Sequence, residues 1–192
     1  VVELSNELSI NNNVTIISIK SVEEWMYPPK KINRKVRLIQ LNKKKGFDFK
    51  VLFKLFSLLK REKPDVVHIH LTMSLYYIIL LIPFFRKIVF YHTIHNTFGP
   101  HEKLFKKLNH FPFYSRVVNI CLSKSIFEQF SEAFPKLKFR QIENGIKAKD
   151  SLIVSDFVKK EIDAIRIDSK TKIFLFVGRF SYQKNIPLLL DV

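Results

Sequence analysis

PDVVHIHLTMSLYYIILLIPFFRKIVFYHTIHN, residues 64–96, decides how the rest of the chain is read. After the proline, DVVHIH at 65–70 reads as a short buried strand, β-branched and apolar. Residues 72–85 form a very apolar helical stretch that ends near Pro83, which cannot continue a helix. Residues 88–92 return to strand character. A strand, a crossover helix and a second strand make a right-handed βαβ unit with parallel strands.

The alternation extends in both directions. Upstream, 1–10 reads as a helix with Val1, Leu4 and Leu8 on one face, broken by Asn11-Asn12-Asn13. Residues 14–19 and 36–41 read as strands, separated by a polar, proline-containing loop at 21–33 and followed by a KKKG turn. Residues 47–61 form a helix with an apolar stripe at Phe47, Val51, Leu55, Leu58 and Leu59, while Lys50, Lys54, Ser57 and Lys60 face away. Downstream come a cationic helix at 102–108 and a strand at 117–122. A helix capped by Ser123 or Ser125 follows, with SIFE at 125–128 matching a capping box and Ile126, Phe127, Phe130, Ala133 and Phe134 as its buried face. A strand at 139–142 then runs into Glu143-Asn144-Gly145. A further helix at 155–165 sits in a polar connection. The final stretch, KIFLFVGRFSYQKNIPLLLDV at 172–192, reads as a strand over 173–177, a turn at Gly178-Arg179 and a helix from Lys184.

The expected fold is therefore α/β, a Rossmann-like parallel sheet with helices on both faces. Residues 1–149 form one domain, 150–170 a connection, and 171–192 the first strand and helix of a second Rossmann-like domain. That last strand is expected to lack the sheet it belongs to.

Composition bounds the partners. The chain has 192 residues, 47% hydrophobic and 14% aromatic, which suits a packed core rather than disorder. Its formal charge of +16 has two readings: an anionic partner, or residue usage biased toward Lys, Asn, Ile and Phe. The one cysteine, Cys121, excludes an internal disulfide and fits a reducing, cytoplasmic setting, and its apolar surroundings make it a buried thiol. The longest apolar run, 75–85, is shorter than the roughly 20 residues needed to span a bilayer. No nucleic-acid-binding signature accompanies the basic stretches, so nucleic acid is not an expected partner. A peripheral contact with the inner face of an anionic membrane is compatible with Lys103, Lys106 and Lys107 beside Leu104, Phe105, Leu108 and Phe111.

In an open parallel sheet, ligands bind beyond the carboxyl ends of the strands. His70, then His92 to Asn96, then Ser123-Lys124, then Asn144-Gly145 fall at those ends. His68 and His70, two apart on a strand, share a face as zinc ligands do, and His92 and His95 could add a third. Among acidic residues and cysteines only Asp65 lies close, so hydrogen-bonded, packed imidazoles are preferred and no metal is expected. His101 and His110 read as surface residues. His95, just past a strand end, is a candidate substrate-binding or polarising group. Arg179 and Lys184 flank the last turn, where free backbone N–H groups and cations suit a diphosphate.

Taken in order, VVELSNELSINNNVTIIS, PDVVHIH, IVFYHTIHN, VNICLSKSIFEQF, IENGIK and FLFVGRFSYQKNIPLLLDV resemble the landmarks of a GT-B fold glycosyltransferase of family 4. The resemblance implies transfer of a sugar, with retained anomeric configuration, from a nucleotide-diphosphate sugar to a glycan or lipid-linked acceptor, as in polysaccharide or glycolipid synthesis. It maps the G-R-x(4)-K pattern onto Arg179 and Lys184 as donor-diphosphate ligands, without a metal cofactor. It maps the T-x-H pattern onto His95, beside the transferred sugar, and the N-G turn onto Asn144 and Gly145. His70 and Ser123 join these as residues lining the cleft, which is expected to lie between the two domains. Asn185 stands where the family commonly has glycine. The family's first strand with its glycine-rich loop, and its later Glu-x(7)-Glu pattern, are not in this sequence, so the stretch is expected to be inactive alone. Two other readings remain open: a GT-B-like nucleotide-sugar epimerase, and a non-enzymatic basic module on anionic membrane.

Overall fold

Six short runs form strands among the described residues, four of them rich in Val, Ile and Thr, and every pairing between them is parallel. The structure is a computed structural model that describes residues 1–20, 31–95, 106–107, 114–145, 155–168, 170–178, 180 and 184–190. It divides into two units, Val1–Gly145 and Ile146–Val192.

In the first unit, β1 (Thr15–Ser18) pairs with β2 (Arg37–Gln40) as a two-stranded sheet. β3 (Val66–Ile69), β4 (Val89–Ile94), β5 (Val117–Cys121) and β6 (Lys138–Gln141) form a four-stranded sheet in that order. The sequence predicts a single sheet. No strand among the described residues bonds to both, yet the core is shared. Ile19 and Leu41, just past β1 and β2, join the same buried cluster as Phe90, Ile94, Val117 and Cys121 of the larger sheet. Three helices contribute to this cluster, α2 (Phe49–Glu62), α3 (Thr72–Leu81) and α4 (Lys124–Ala133), while α1 (Val2–Leu8) precedes β1 and adds no residue to it.

α2 forms because Asp48 caps it. One carboxylate oxygen accepts from Lys50 N at 3.0 Å and Val51 N at 3.4 Å, and the other from Lys44 N at 3.1 Å. These backbone bonds, led by Lys44, hold the Asp48 carboxyl below its ordinary pKa. Lys63 in the left-handed region ends the helix. Val51, Leu55, Leu58 and Leu59 are buried as expected. Phe47 is not part of that stripe: it precedes the helix and stacks on Tyr77 of α3, ring centroids 4.8 Å apart. Tyr77 Oη also accepts from Asp48 N at 2.9 Å, and Phe56 meets Phe84 edge-on at 5.7 Å. α2 and α3 are thus fastened side by side. Past α3, a 3₁₀ turn at Ile82–Phe84 closes against Arg116, whose guanidinium donates to the carbonyls of Ile82, Phe85 and Arg86.

Two expectations about helices need correction. α1 buries Ser5 and Ser9 and exposes Val1, Leu4 and Leu8. Its inner edge is held by polar bonds: Asn6 donates to Lys31 O and accepts from Asn33 N, both at 2.8 Å, so the face that meets the following chain is polar and small. In α4 the cap is Ser123, whose Oγ accepts from Ile126 N at 3.3 Å. Ser125 lies inside the first turn, so SIFE does not act as a capping box. Ile126, Phe130 and Phe134 are buried, Phe127 is partly buried and Ala133 is exposed.

In the second unit, α5 (Asp156–Ile165) is capped by Ser155, whose Oγ accepts from Val158 N at 3.4 Å, and α6 spans Ile186–Leu190. The strand predicted over 173–177 does not form: those residues have no ladder, and Phe174, Leu175 and Val177 are exposed. A strand needs a partner for its N–H and C=O groups, and none of the described residues supplies one. The helix predicted at 102–108, apart from helical residues 106–107, and most of the loop at 21–33 lie outside the described residues.

Candidate functional site

Register sorts the histidines. His68 pairs with Tyr91 and Ile69 with His92. Side chains alternate along a strand, so His68 and His70 share a face with Tyr91, Thr93 and His95, while His92 lies on the other face. The rings agree with this. His68 and His70 have centroids 4.1 Å apart, and His70 and His95 5.9 Å apart. His68 Nε2 is 2.7 Å from Thr93 Oγ1, a hydrogen bond that ties β3 to β4 at the strand ends.

The three imidazoles are held neutral. Burial drives the His70 pKa down to about 3, with further lowering from His68. Burial also lowers His68, helped by His95, and lowers His95 itself. A neutral imidazole offers one N–H donor and one acceptor nitrogen. That equipment suits hydroxyl groups better than anions. His70 Nδ1 is buried and makes no hydrogen bond among the described residues. His95 is exposed at the edge.

His92 belongs to the core. Tyr114 Oη donates to Asn119 Oδ1 at 2.8 Å, and His92 Nδ1 lies 3.3 Å from the same oxygen. An amide oxygen only accepts, so Nδ1 carries the proton. Asn119 Nδ2 in turn donates to Lys138 O at 3.3 Å. The three side chains are buried, and burial raises the Tyr114 pKa. This network links β4, β5 and β6 beneath the site. Sequence reasoning missed it, although a lone Asn inside VVNIC was the signal. Cys121 is also fully buried, and burial pushes its pKa to about 11, far from a reactive thiolate.

His92 therefore cannot complete a set with His68 and His70. Among the described residues, no group of three or more His, Cys, Asp or Glu could hold a metal ion. His101 and His110 lie outside the described residues.

The remaining candidates are placed as follows. Ser123 follows β5, and its hydroxyl is engaged as the cap of α4. Asn144 and Gly145 follow β6, exposed and irregular; Gly145 has open space where a side chain would sit and no left-handed φ. In the second unit Lys184 is exposed, and Arg179 lies outside the described residues. Asn185 has φ of 41°, in the left-handed region. Asn tolerates that region better than other non-glycine residues. The structure thus brings His70 and His95 together, with His68 and Thr93 behind them, at the carboxyl ends of adjacent parallel strands.

No individual curated protein matches the chain. Residues 1–150 match the family model described as Glycosyltransferase Family 4. That match spans the whole parallel α/β unit with its strand-end histidines, and the chain belongs to glycosyltransferase family 4.

Proposed function

We propose that the protein is a retaining glycosyltransferase that takes a sugar from a nucleotide-diphosphate donor and passes it to a glycan or lipid-linked acceptor in polysaccharide or glycolipid synthesis. The observation that carries this reading is the neutral histidine pair, His70 and His95, at the carboxyl ends of adjacent parallel strands in a family 4 domain. That edge is where an open α/β sheet takes its ligand. His95, exposed, hydrogen-bonds a hydroxyl of the transferred sugar. His70, held against it, positions that ring. Ser123, Asn144 and Gly145 line the same edge, with Ser123 acting mainly through its helix cap.

Arg179 and Lys184 bind the donor diphosphate. Fixed cations there stabilise the charge that builds on the leaving nucleotide, in place of a metal. Removing one such group costs on the order of 2–4 kcal/mol of barrier, by analogy with removed oxyanion donors.

The test uses the complete protein with a panel of nucleotide-diphosphate sugars, with and without extracted glycan and lipid acceptors, in the presence of a chelator. Acceptor-dependent transfer with retained configuration, reduced about 10²–10³-fold by Arg179→Ala, is the expected result. Unchanged transfer in that variant would remove the diphosphate assignment. Epimerised nucleotide sugar released without acceptor would replace the transferase reading with an epimerase.

A further inference from the structure

Asn144 is the one asparagine of the sequence that is followed by glycine. In such a pair the backbone nitrogen of the second residue can reach the side-chain amide carbon of the first, because glycine has no Cβ to block the approach. Folded chains commonly prevent this in two ways. A ladder bond holds the backbone extended, or a turn engages the asparagine side chain.

Neither restraint acts at Asn144. The β6 ladder closes where Ile142 N donates to Cys121 O at 3.0 Å. Asn144 and Gly145 lie beyond that bond, exposed and without regular structure. Neither makes a hydrogen bond among the described residues. Gly145 has open space where a Cβ would sit and no left-handed φ, so no packed neighbour and no strained backbone fixes it. Other asparagines are held differently. Asn119 is buried and uses both ends of its amide, accepting from Tyr114 and donating to Lys138 O. Asn6 also uses both ends, toward Lys31 O and Asn33 N.

We propose that Asn144-Gly145 is a self-modifying site, where the asparagine becomes aspartate and isoaspartate as the protein ages. The Gly145 nitrogen gives its proton to hydroxide and attacks Asn144 Cγ. The N–Cγ bond forms and the Cγ–Nδ2 bond breaks. The departing nitrogen takes a proton from water and leaves as ammonia. Water then opens the cyclic imide at either carbonyl. Opening at Cγ gives aspartate, and opening at the backbone carbon gives isoaspartate, with the chain rerouted through Cγ. The net change is one water in and one ammonia out, with no oxidant or reductant. The product carries a new carboxylate just past β6, two strands along from β4, which leads into His95. The edge that holds the neutral His70 and His95 rings thereby gains an anion. The site is read without donor or acceptor, so it stands apart from sugar transfer.

The experiment ages the complete protein in mildly alkaline buffer beside the synthetic peptide Gln-Ile-Glu-Asn-Gly-Ile-Lys, residues 141–147. Trypsin cuts after Arg140 and Lys147 and releases the same peptide from the protein, so one mass measurement follows both. A digest of unaged protein sets the zero. The aged digest is expected to show a mass gain of about 1 Da, as an amide becomes a carboxyl, divided between two new peaks. Labelling of one peak by an isoaspartyl methyltransferase identifies the rerouted chain. Opening an exposed, irregular segment costs almost nothing, so the rate in the protein is expected within about threefold of the peptide's. Gly145→Val, which the open space accommodates, is expected to lose both peaks, in the protein and in its matched peptide. A slower rate in the protein than that would overturn the proposal, as would the absence of an isoaspartyl peak. So would another asparagine converting first, or a Gly145→Val protein that converts like the parent. None of these readouts involves a nucleotide sugar, so a failure here stays distinct from a failure of the transferase reading.

Discussion

Acidification to about pH 5 will destabilise the Val1–Gly145 unit through His70. The ring is half-buried against His68 and titrates at about 3 in the fold, against 6.5 for an ordinary histidine. Between those values the unfolded chain holds more protons than the folded one, so stability rises with pH across the interval. The contribution is complete above 6.5 and is lost as pH falls through the folded value near 3. At pH 5 the loss is about 2 kcal/mol, and solvent reaching the half-buried ring brings the expected figure to about 1–2 kcal/mol. His68 and His95, lowered in the same direction, add to it. Urea unfolding followed by circular dichroism at about pH 7.5 and about pH 5 reads this as a midpoint shift of about 1 M at unchanged slope. His70→Asn removes the titrating ring and will flatten much of that dependence. A parent midpoint that stays flat over this range, or an Asn variant with the parent's full pH slope, would show that the ring is solvated and that the desolvation argument is wrong.

Phe130 is fully buried against Phe134 and Phe139, so Phe130→Ala will cost about 3–5 kcal/mol in urea unfolding. Ser123→Ala will cost about 1 kcal/mol of stability through the lost cap of α4, while transfer per folded molecule stays close to the parent's; a large fall in turnover at unchanged stability would give Ser123 a direct part in the chemistry. Asn185→Gly will leave donor affinity unchanged, whereas Asn185→Val, strained at a φ of 41°, will displace Lys184 and weaken donor binding in calorimetry.

Much of the fold could be read in advance because two periods dominate it. Runs such as VTIIS and VVNIC carry the strand signal, and Val51, Leu55, Leu58 and Leu59 carry the helical one. The failures fall where a side chain's fate depends on what lies opposite. Leu4 and Leu8 have the spacing of a buried face, yet Asn6 bonds to the backbone at Lys31 and Asn33 and turns the polar edge inward. Residues 173–177 have strong strand character and no strand, because propensity cannot supply a ladder partner.

The histidines divide along the same line. That His92 and His95 could not serve one site was available from spacing alone: residues three apart on a strand point to opposite faces. Counting that parity puts His92 on the face of Phe90 and Ile94, away from His95, and limits any set built on His68 and His70 to one of the two. Which face of β4 meets His68 and His70 was not available, because it depends on the register between two strands, and a slip of one residue would exchange His95 for His92. The pairing of His68 with Tyr91 decides it, and the hydrogen bond from His68 to Thr93 holds that register at the end where it matters. Thr93 is thus more than the first letter of a T-x-H pattern. By fixing which imidazole reaches the open edge, it determines that the ring placed there is one with a neighbour at His70 and not one locked under Asn119.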